Sequence, residues 1–291
     1  MPRVTVIMAT YNWATVLPYS IGSVLDQRYQ DFELLVIGDG CTDESADVVA
    51  AVDDSRVKWH NLSENTGHQS GPNNEGISRA DGELIAYLGH DDLWLPCHLE
   101  LLVAAIDGVS RIAHTTVCSV PPTGRPTAFP GRGWVYEPGG WIPPTCVAHD
   151  RTVVDEAGGW RSPRHTGILD SEGELWERMA SLSQPPRWVP RLTCVKFSAS
   201  ERQGVYRRRP NYEQADWLTR IREARDPEGS LLAACSRQEG ILRRIIRMVR
   251  QRVRVRTRLT SAGLLRPLPS AEERWRTTRR FKGLDDKPSL G

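Results

Sequence analysis

The chain has 291 residues, 39% of them hydrophobic, and its 38 basic and 36 acidic side chains leave a net charge of only +2. That suits one large domain or a domain with an appendage, and no apolar run approaches the ~20 residues that would span a bilayer. The six cysteines are scattered with no Cys-x-x-Cys pair, which points to reduced thiols rather than a disulfide framework or a zinc site.

Met1-Pro2-Arg3 runs directly into a compact apolar strand, Val4 to Ala9, so no secretory leader is expected. Thr10-Tyr11-Asn12 follows. Pro18 opens a helix whose Leu17, Ile21, Val24 and Leu25 share one face. Phe32 to Ile37 reads as a second buried strand closed by Gly38-Asp39-Gly40, and Thr42 is expected to cap the helix after it. Val57 to His60 is a third, weaker strand. A polar loop through Asn65 and Gly67 leads to a helix from about Asn73 to Ala80 and a fourth strand, Leu84 to Leu88. This alternation predicts an α/β fold with a mostly parallel sheet flanked by helices.

Ligands of such sheets gather beyond the carboxyl ends of the strands. Tyr11, Asp39 and Asp91 each lie just past a strand end, so they should converge on one crevice. The fourth strand ends in Gly89-His90-Asp91-Asp92. Adjacent acids there are costly to desolvate unless a cation meets them, and a divalent metal carrying a phosphate ligand would serve. A turn-capping Asp92 beside a solvated Asp91 is the other reading of this stretch.

In the second half, a helix from Leu99 to about Asp107 and a strand from Ile112 to Val117 precede a Gly-, Pro- and Trp-rich segment, Pro121 to Pro144. Arg151 to Ala157 reads as a short helix ending at Gly158-Gly159. Ser171 to Leu182 is a longer one, with Asp170, Glu172 and Glu174 crowding its start. His68, His149 and His165 are candidates for contact with a phosphate or metal, or hydrogen-bonded structural histidines. Trp134, Trp141 and Trp160 offer aromatic faces that would stack on a ligand or pack in the core. Gly38, Gly40, Gly67 and Gly71 fit neither a Walker nor a dinucleotide fingerprint.

Charge is distributed unevenly. Residues 1–100 hold 5 basic against 16 acidic side chains, and residues 201–291 hold 23 against 11. Within 241–258 there are eight arginines and no acid, with Leu242, Ile245, Ile246, Val249 and Val253 on a helical face. This segment reads first as a cationic helix lying on an anionic membrane surface, alternatively as a solvated or subunit-packing helix. Nucleic acid is the weakest partner, because no aromatic interleaving or known module accompanies the charge. From Pro267 on the chain is polar and expected to be poorly ordered.

Together these residues resemble the family 2 glycosyltransferases of the GT-A fold. Val4 to Asn12 is similar to that family's opening strand and turn, as are Ser23 to Gln27 and Asp31 to Ile37 to the segment after it. Gly38-Asp39-Gly40-Cys41-Thr42-Asp43 stands where the family has Asp-Asp-Gly-Ser-Thr-Asp, and Asn65-Thr66-Gly67, Asn73 to Ile77 and Ala80 to Glu83 continue the match. Gly89-His90-Asp91 stands at the Asp-x-Asp motif, with Gly89 in place of the first acid. The resemblance is good from Arg3 to about Leu102 and looser to Tyr206.

The resemblance implies a GT-A, Rossmann-like domain over 1–210, with a nucleotide-sugar-binding half (1–110) and an acceptor half (111–210). A basic, helical to disordered extension would follow over 211–291. It implies that Thr10, Tyr11, Asn12 and Asp39 border the nucleotide, with His68, His90 and Asp92 as further nucleotide-sugar contacts. Asp91 would hold Mn2+ or Mg2+, with His149 as a second metal candidate. Glu172 is the first candidate for the base, ahead of Asp170 and Glu174. The implied activity is inverting, metal-dependent transfer of a sugar from a nucleoside diphosphate sugar to the hydroxyl of a carbohydrate or lipid-linked acceptor. The setting would be cell-surface polysaccharide or glycolipid assembly, in the cytoplasm or at the inner face of the cell membrane. A homologue that binds a nucleotide sugar or a partner without turnover is the alternative. Against a nucleotidyltransferase on a similar sheet, this chain has no Gly-rich, Arg/Lys-bearing loop after the first strand to hold a triphosphate.

Overall fold

The computed structural model describes residues 1–235 and 270–284, apart from 132–133, 139 and 167–169. The arginine-rich segment 241–258 and the side chain of His165 lie outside the described residues.

The amino-terminal half alternates strands and helices as its periodicity predicts. In order it runs β1 (Val4–Thr10), α1 (Leu17–Leu25), β2 (Phe32–Gly38), α2 (Ser45–Ala50), β3 (Val57–Asn61), α3 (Ser70–Arg79) and β4 (Leu84–Tyr87). The largely apolar strands β1, β2 and β4 are buried on both faces, the pattern of a central parallel sheet. Val4 pairs with Phe32 and with Leu84, and β3 adds outside β2, all parallel. The carboxyl ends of these strands therefore open on one edge.

The second half extends the sheet: β5 (Leu93–Trp94), α4 (His98–Ala105), β6 (Ile112–Ser119), β7 (Thr127–Phe129), β8 (Val147–Asp150), α5 (Arg151–Glu156), α6 (Pro163–Thr166), α7 (Ser171–Leu182) and β9 (Arg187–Lys196). Among the described residues the strand order is β3-β2-β1-β4-β8-β6-β9-β5, with β7 beside β6. β8 is antiparallel to both β4 and β6, and β9 is parallel to β6. The carboxyl end of β9, at Lys196, thus faces the same edge as those of β1, β2 and β4.

Three expectations are corrected. The boundary at residue 210 cuts a packed core: after α8 (Val205–Arg208), helices α9 (Tyr212–Glu223) and α10 (Pro227–Ala234) bury Leu218, Ile221 and Leu231 against Leu93, Leu95, Leu192 and Val195. The tail after Pro267 contains a carboxy-terminal helix, Ala271–Lys282, started by a Ser270/Glu273 capping box and stopped by Gly283 at φ 83°. Thr42 does not cap α2; Asp43 Oδ1 instead accepts from the Ser45 amide at 3.2 Å and its hydroxyl at 2.6 Å.

Candidate active site

The shared strand edge bounds a cavity of about 410 Å³. Thr10 and Tyr11 after β1, Asp39 after β2, and Gly89 to Asp92 after β4 form its floor. Glu172 at the start of α7, Lys196 at the end of β9 and Tyr206 on α8 close one side. The expected convergence of Tyr11, Asp39 and Asp91 is present.

The nucleotide-side candidates separate into wall residues and fasteners. Asp39 is buried, and its Oδ1 accepts from the Thr66 amide at 2.8 Å and the Thr66 hydroxyl at 2.7 Å, while Oδ2 accepts from the Gly67 amide at 3.2 Å. It shapes the loop before α3 as well as lining the cavity. Asn12, at φ 48°, does not line it. Its amide is committed to the neighbouring loop, accepting from the Thr42 amide at 2.6 Å and donating to the Thr42 hydroxyl at 3.2 Å. The Asn12 expectation is corrected to a fastener, and Gly38 is explained nearby. A Cβ there would lie 2.4 Å from Asn61 Oδ1 and 2.7 Å from the Trp59 ring, so no first acid fits.

The Gly89 to Leu95 loop is held from behind by polar groups of α1 and of the turn that follows it. Ser20 Oγ donates to the His90 carbonyl at 2.5 Å, Gln27 Nε2 to the Leu95 carbonyl at 2.8 Å, and the Trp94 amide to Ser23 Oγ at 3.2 Å. From α9, Gln214 Nε2 donates to the Asp91 carbonyl at 3.2 Å. The two acids of this pinned loop differ sharply. Asp92 is fully buried and paired with Lys196 Nζ at 3.0 Å, with the Phe197 amide donating to its other oxygen at 3.0 Å. Asp92 is therefore a clasp inside the wall, which corrects its assignment as a sugar contact. Asp91 makes no ion pair among the described residues; burial, then the Asp92 charge, push its carboxyl up to about 7.

A magnesium or manganese ion takes carboxylate oxygens, and Asp91 supplies one whose charge is poorly compensated. No group of three or more His, Cys, Asp or Glu side chains among the described residues would hold a metal alone. The donor set fits a metal only as one carboxylate that shares the ion with ligand oxygens. His149 is not part of it. It lies inside the sheet, where Trp160 Nε1 donates to Tyr87 Oη at 3.1 Å, Tyr87 Oη contacts His149 Nε2 at 2.9 Å, and Nδ1 contacts the Asp150 carbonyl at 2.8 Å. Both ring nitrogens are used, and burial pulls its pKa down to about 4, so this metal assignment is corrected.

Of the three base candidates, Glu172 lines the cavity. Burial, then the Asp170 charge, raise its pKa, and Ser171 Oγ donates to it at 3.2 Å. Asp170 caps α7, accepting from the Gly173 amide at 2.9 Å. Glu174 is locked to Arg178 at 2.8 Å and reaches Arg161 at 3.3 Å. These two are structural, a correction to their candidacy. His68 lines the cavity beside Ser171, and burial lowers its pKa to about 4. His90 stands edge-on to Trp13 at 5.2 Å with an unpartnered Nδ1, and burial takes its pKa to about 4 as well. Of the tryptophans, Trp141 lines the cavity, whereas Trp160 is buried and Trp134 packs against His114 and Trp188.

Trp275, Thr278, Arg279, Lys282 and Leu284 also line the cavity, and the sequence reading assigned none of them a role. The Ser270-x-x-Glu273 capping box was the available signal of a helix there.

Residues 5–127 match the model for glycosyl transferase family 2. A UDP-Glc:alpha-D-GlcNAc-diphosphoundecaprenol beta-1,3-glucosyltransferase of Escherichia coli is 36% identical over 101 residues, which cover 35% of this chain and 40% of that protein. A GalNAc(5)-diNAcBac-PP-undecaprenol beta-1,3-glucosyltransferase of Campylobacter jejuni is 34% identical, covering 39% of this chain and 35% of its own. The match thus spans well under half of these relatives. Among solved structures, S. aureus TarS 1-349 in complex with UDP-GlcNAc superposes with a TM-score of 0.58 at 17% identity, over 79% of this chain and 69% of that one. The mannosyltransferase PcManGT of Pyrobaculum calidifontis, in complex with GDP-Man and Mn2+, gives 0.53 at 19%, over 80% and 68%. Over residues 5–127 the chain is thus similar to glycosyl transferase family 2, on a fold of the GT-A kind.

Proposed function

We propose that the protein is an inverting glycosyltransferase that moves a sugar from a nucleoside diphosphate sugar to an acceptor hydroxyl. The observation that carries this reading is the placement of Asp91 and Glu172 on one cavity, beside the strand ends that bear Tyr11 and Asp39. Tyr11 and Asp39 border the base, Asp91 lies toward the diphosphate, and Glu172 serves the acceptor side. Glu172 removes the acceptor proton as the oxygen attacks the anomeric carbon, and the bond from that carbon to the diphosphate breaks on the opposite face. A single displacement inverts the centre. Burial raises the basicity of Glu172, which suits it to that proton. A divalent cation held by Asp91 would supply charge neutralisation at the leaving diphosphate.

The named activities of the curated relatives support an undecaprenyl-diphosphate-linked acceptor in polysaccharide or glycolipid assembly. Among the described residues no helix is long and apolar enough to cross a membrane. The proposed setting is the inner face of the membrane, with 241–258 as the lipid contact. A thermal-shift panel of UDP-, GDP- and dTDP-sugars, with and without manganese, tests the donor reading. A ligand that binds the native state raises Tm, and no shift from any of them would refute it. Donor hydrolysis then separates turnover from binding alone.

A further inference from the structure

The carboxy-terminal helix stands over the cavity and is tied down on two sides. The Gly204 amide donates to the Phe281 carbonyl at 2.7 Å, and Arg279 Nη1 donates to the Gly67 carbonyl at 2.9 Å. The Arg279 guanidinium also lies over the Trp275 ring, 5.0 Å from its centre. Gly67 belongs to the loop that Asp39 holds, so the helix and the floor of the cavity form one structure.

Lys282 ends this helix and lines the cavity. Among the described residues no hydrogen bond or ion pair holds its ammonium. The two other cations in the wall are committed, Lys196 to Asp92 and Arg279 to the Gly67 carbonyl. Lys282 is within electrostatic reach of Asp91 and Glu172, and burial, opposed by those two acids, lowers its pKa. A cationic side chain kept partly buried and unmatched costs free energy unless a ligand anion meets it.

We propose that Lys282 seats the diphosphate of the donor nucleotide, bringing the carboxy-terminal helix into the donor site. This rests on the reading of the cavity as the donor site. An ammonium is a compact point charge that donates to non-bridging phosphate oxygens. Charge that grows on the diphosphate as the glycosyl bond breaks is met by a group already in place. The seat also complements the strand-end loop, where Gly89 leaves a single free acid. A Cβ on Gly89 would lie 2.8 Å from Asp92 Oδ2, so the loop has no room for a second one.

The test is titration calorimetry on the full chain with UDP, GDP and dTDP in EDTA, and again with manganese. With the diphosphate that binds the wild type, Lys282→Met should weaken affinity in EDTA by roughly ten- to a hundredfold, and Lys282→Arg should restore most of it. The matching nucleoside should bind both proteins alike. Acetic anhydride labelling of the wild-type chain gives a check independent of any variant: the diphosphate should protect Lys282 and the nucleoside should not. Lys282→Met affinity within about twofold of wild type, or tighter, would overturn the proposal. If the wild type binds none of the three diphosphates, the donor-site reading itself fails and this proposal falls with it.

Discussion

Lys196 Nζ lies 3.0 Å from Asp92 Oδ2, which ties the end of β9 to the loop after β4. That clasp divides two neighbouring acids between two jobs. Asp92 is fully buried and satisfied, while Asp91, one residue earlier, lines the cavity without an ion-pair partner among the described residues. What looks in the sequence like a pair of equivalent carboxylates is one structural anchor and one carboxylate lining the cavity.

Breaking the clasp from the lysine side strands a buried carboxylate. Lys196→Met should therefore cost about 3–5 kcal/mol in denaturant unfolding. Replacing both partners, with Asp92→Asn added, should recover part of that loss because the uncompensated charge is gone.

Restoring an acid at position 89 should not help. A Cβ at Gly89 would sit 2.8 Å from Asp92 Oδ2 and 3.3 Å from Asp91 Oδ1, so the clasped loop must shift to admit it. Gly89→Asp should destabilise the fold by about 1–3 kcal/mol. Manganese titration of the variant should show no gain in affinity over wild type.

The free protein should carry a pH signature of Asp91. Its folded pKa is raised to about 7 from the ordinary 3.8, so the folded state holds the proton more tightly than the unfolded chain does. Stability from this group is present at low pH and is lost as pH rises from about 4 to about 7. Asp91→Asn should be more stable than wild type above that window and should lose its advantage below it, read as the difference in Tm across a pH series.

Glu172 and Glu174 differ by two residues and should behave oppositely. Glu172→Gln should lower glycosyl transfer by about 10²- to 10⁴-fold with little change in Tm. In the wild type the acid limb of the pH–rate profile should lie above the ordinary glutamate range, because burial raises the pKa of the base. Glu174→Gln should keep transfer and lose about 1–3 kcal/mol of stability, since it leaves the half-buried Arg178 short of its carboxylate partner.

Much of the fold was legible because the buried strands announce themselves. Val4 to Ala9, Phe32 to Ile37 and Leu84 to Leu88 are predominantly apolar runs, broken by Thr5 in the first and Glu33 in the second, and α7 spans Ser171–Leu182 as its spacing predicts. Roles within the site were harder to read, because residue type does not reveal what a side chain already bonds. Asn12 and His149 look like ligands in sequence, yet their polar atoms are used by Thr42, Tyr87 and Asp150. Lys196 and Lys282 were invisible for the converse reason. Each reaches the cavity from an element far along the chain, and only the parallel placement of β9 and the return of the carboxy-terminal helix put them there.

Asp91 is proposed to mark the diphosphate end of a donor site. The decisive measurement is calorimetric titration of the nucleoside diphosphate that the wild type binds, with and without manganese. Manganese should strengthen binding to wild type and should have no such effect on Asp91→Asn. An equal metal-dependent gain in the variant would contradict the assignment.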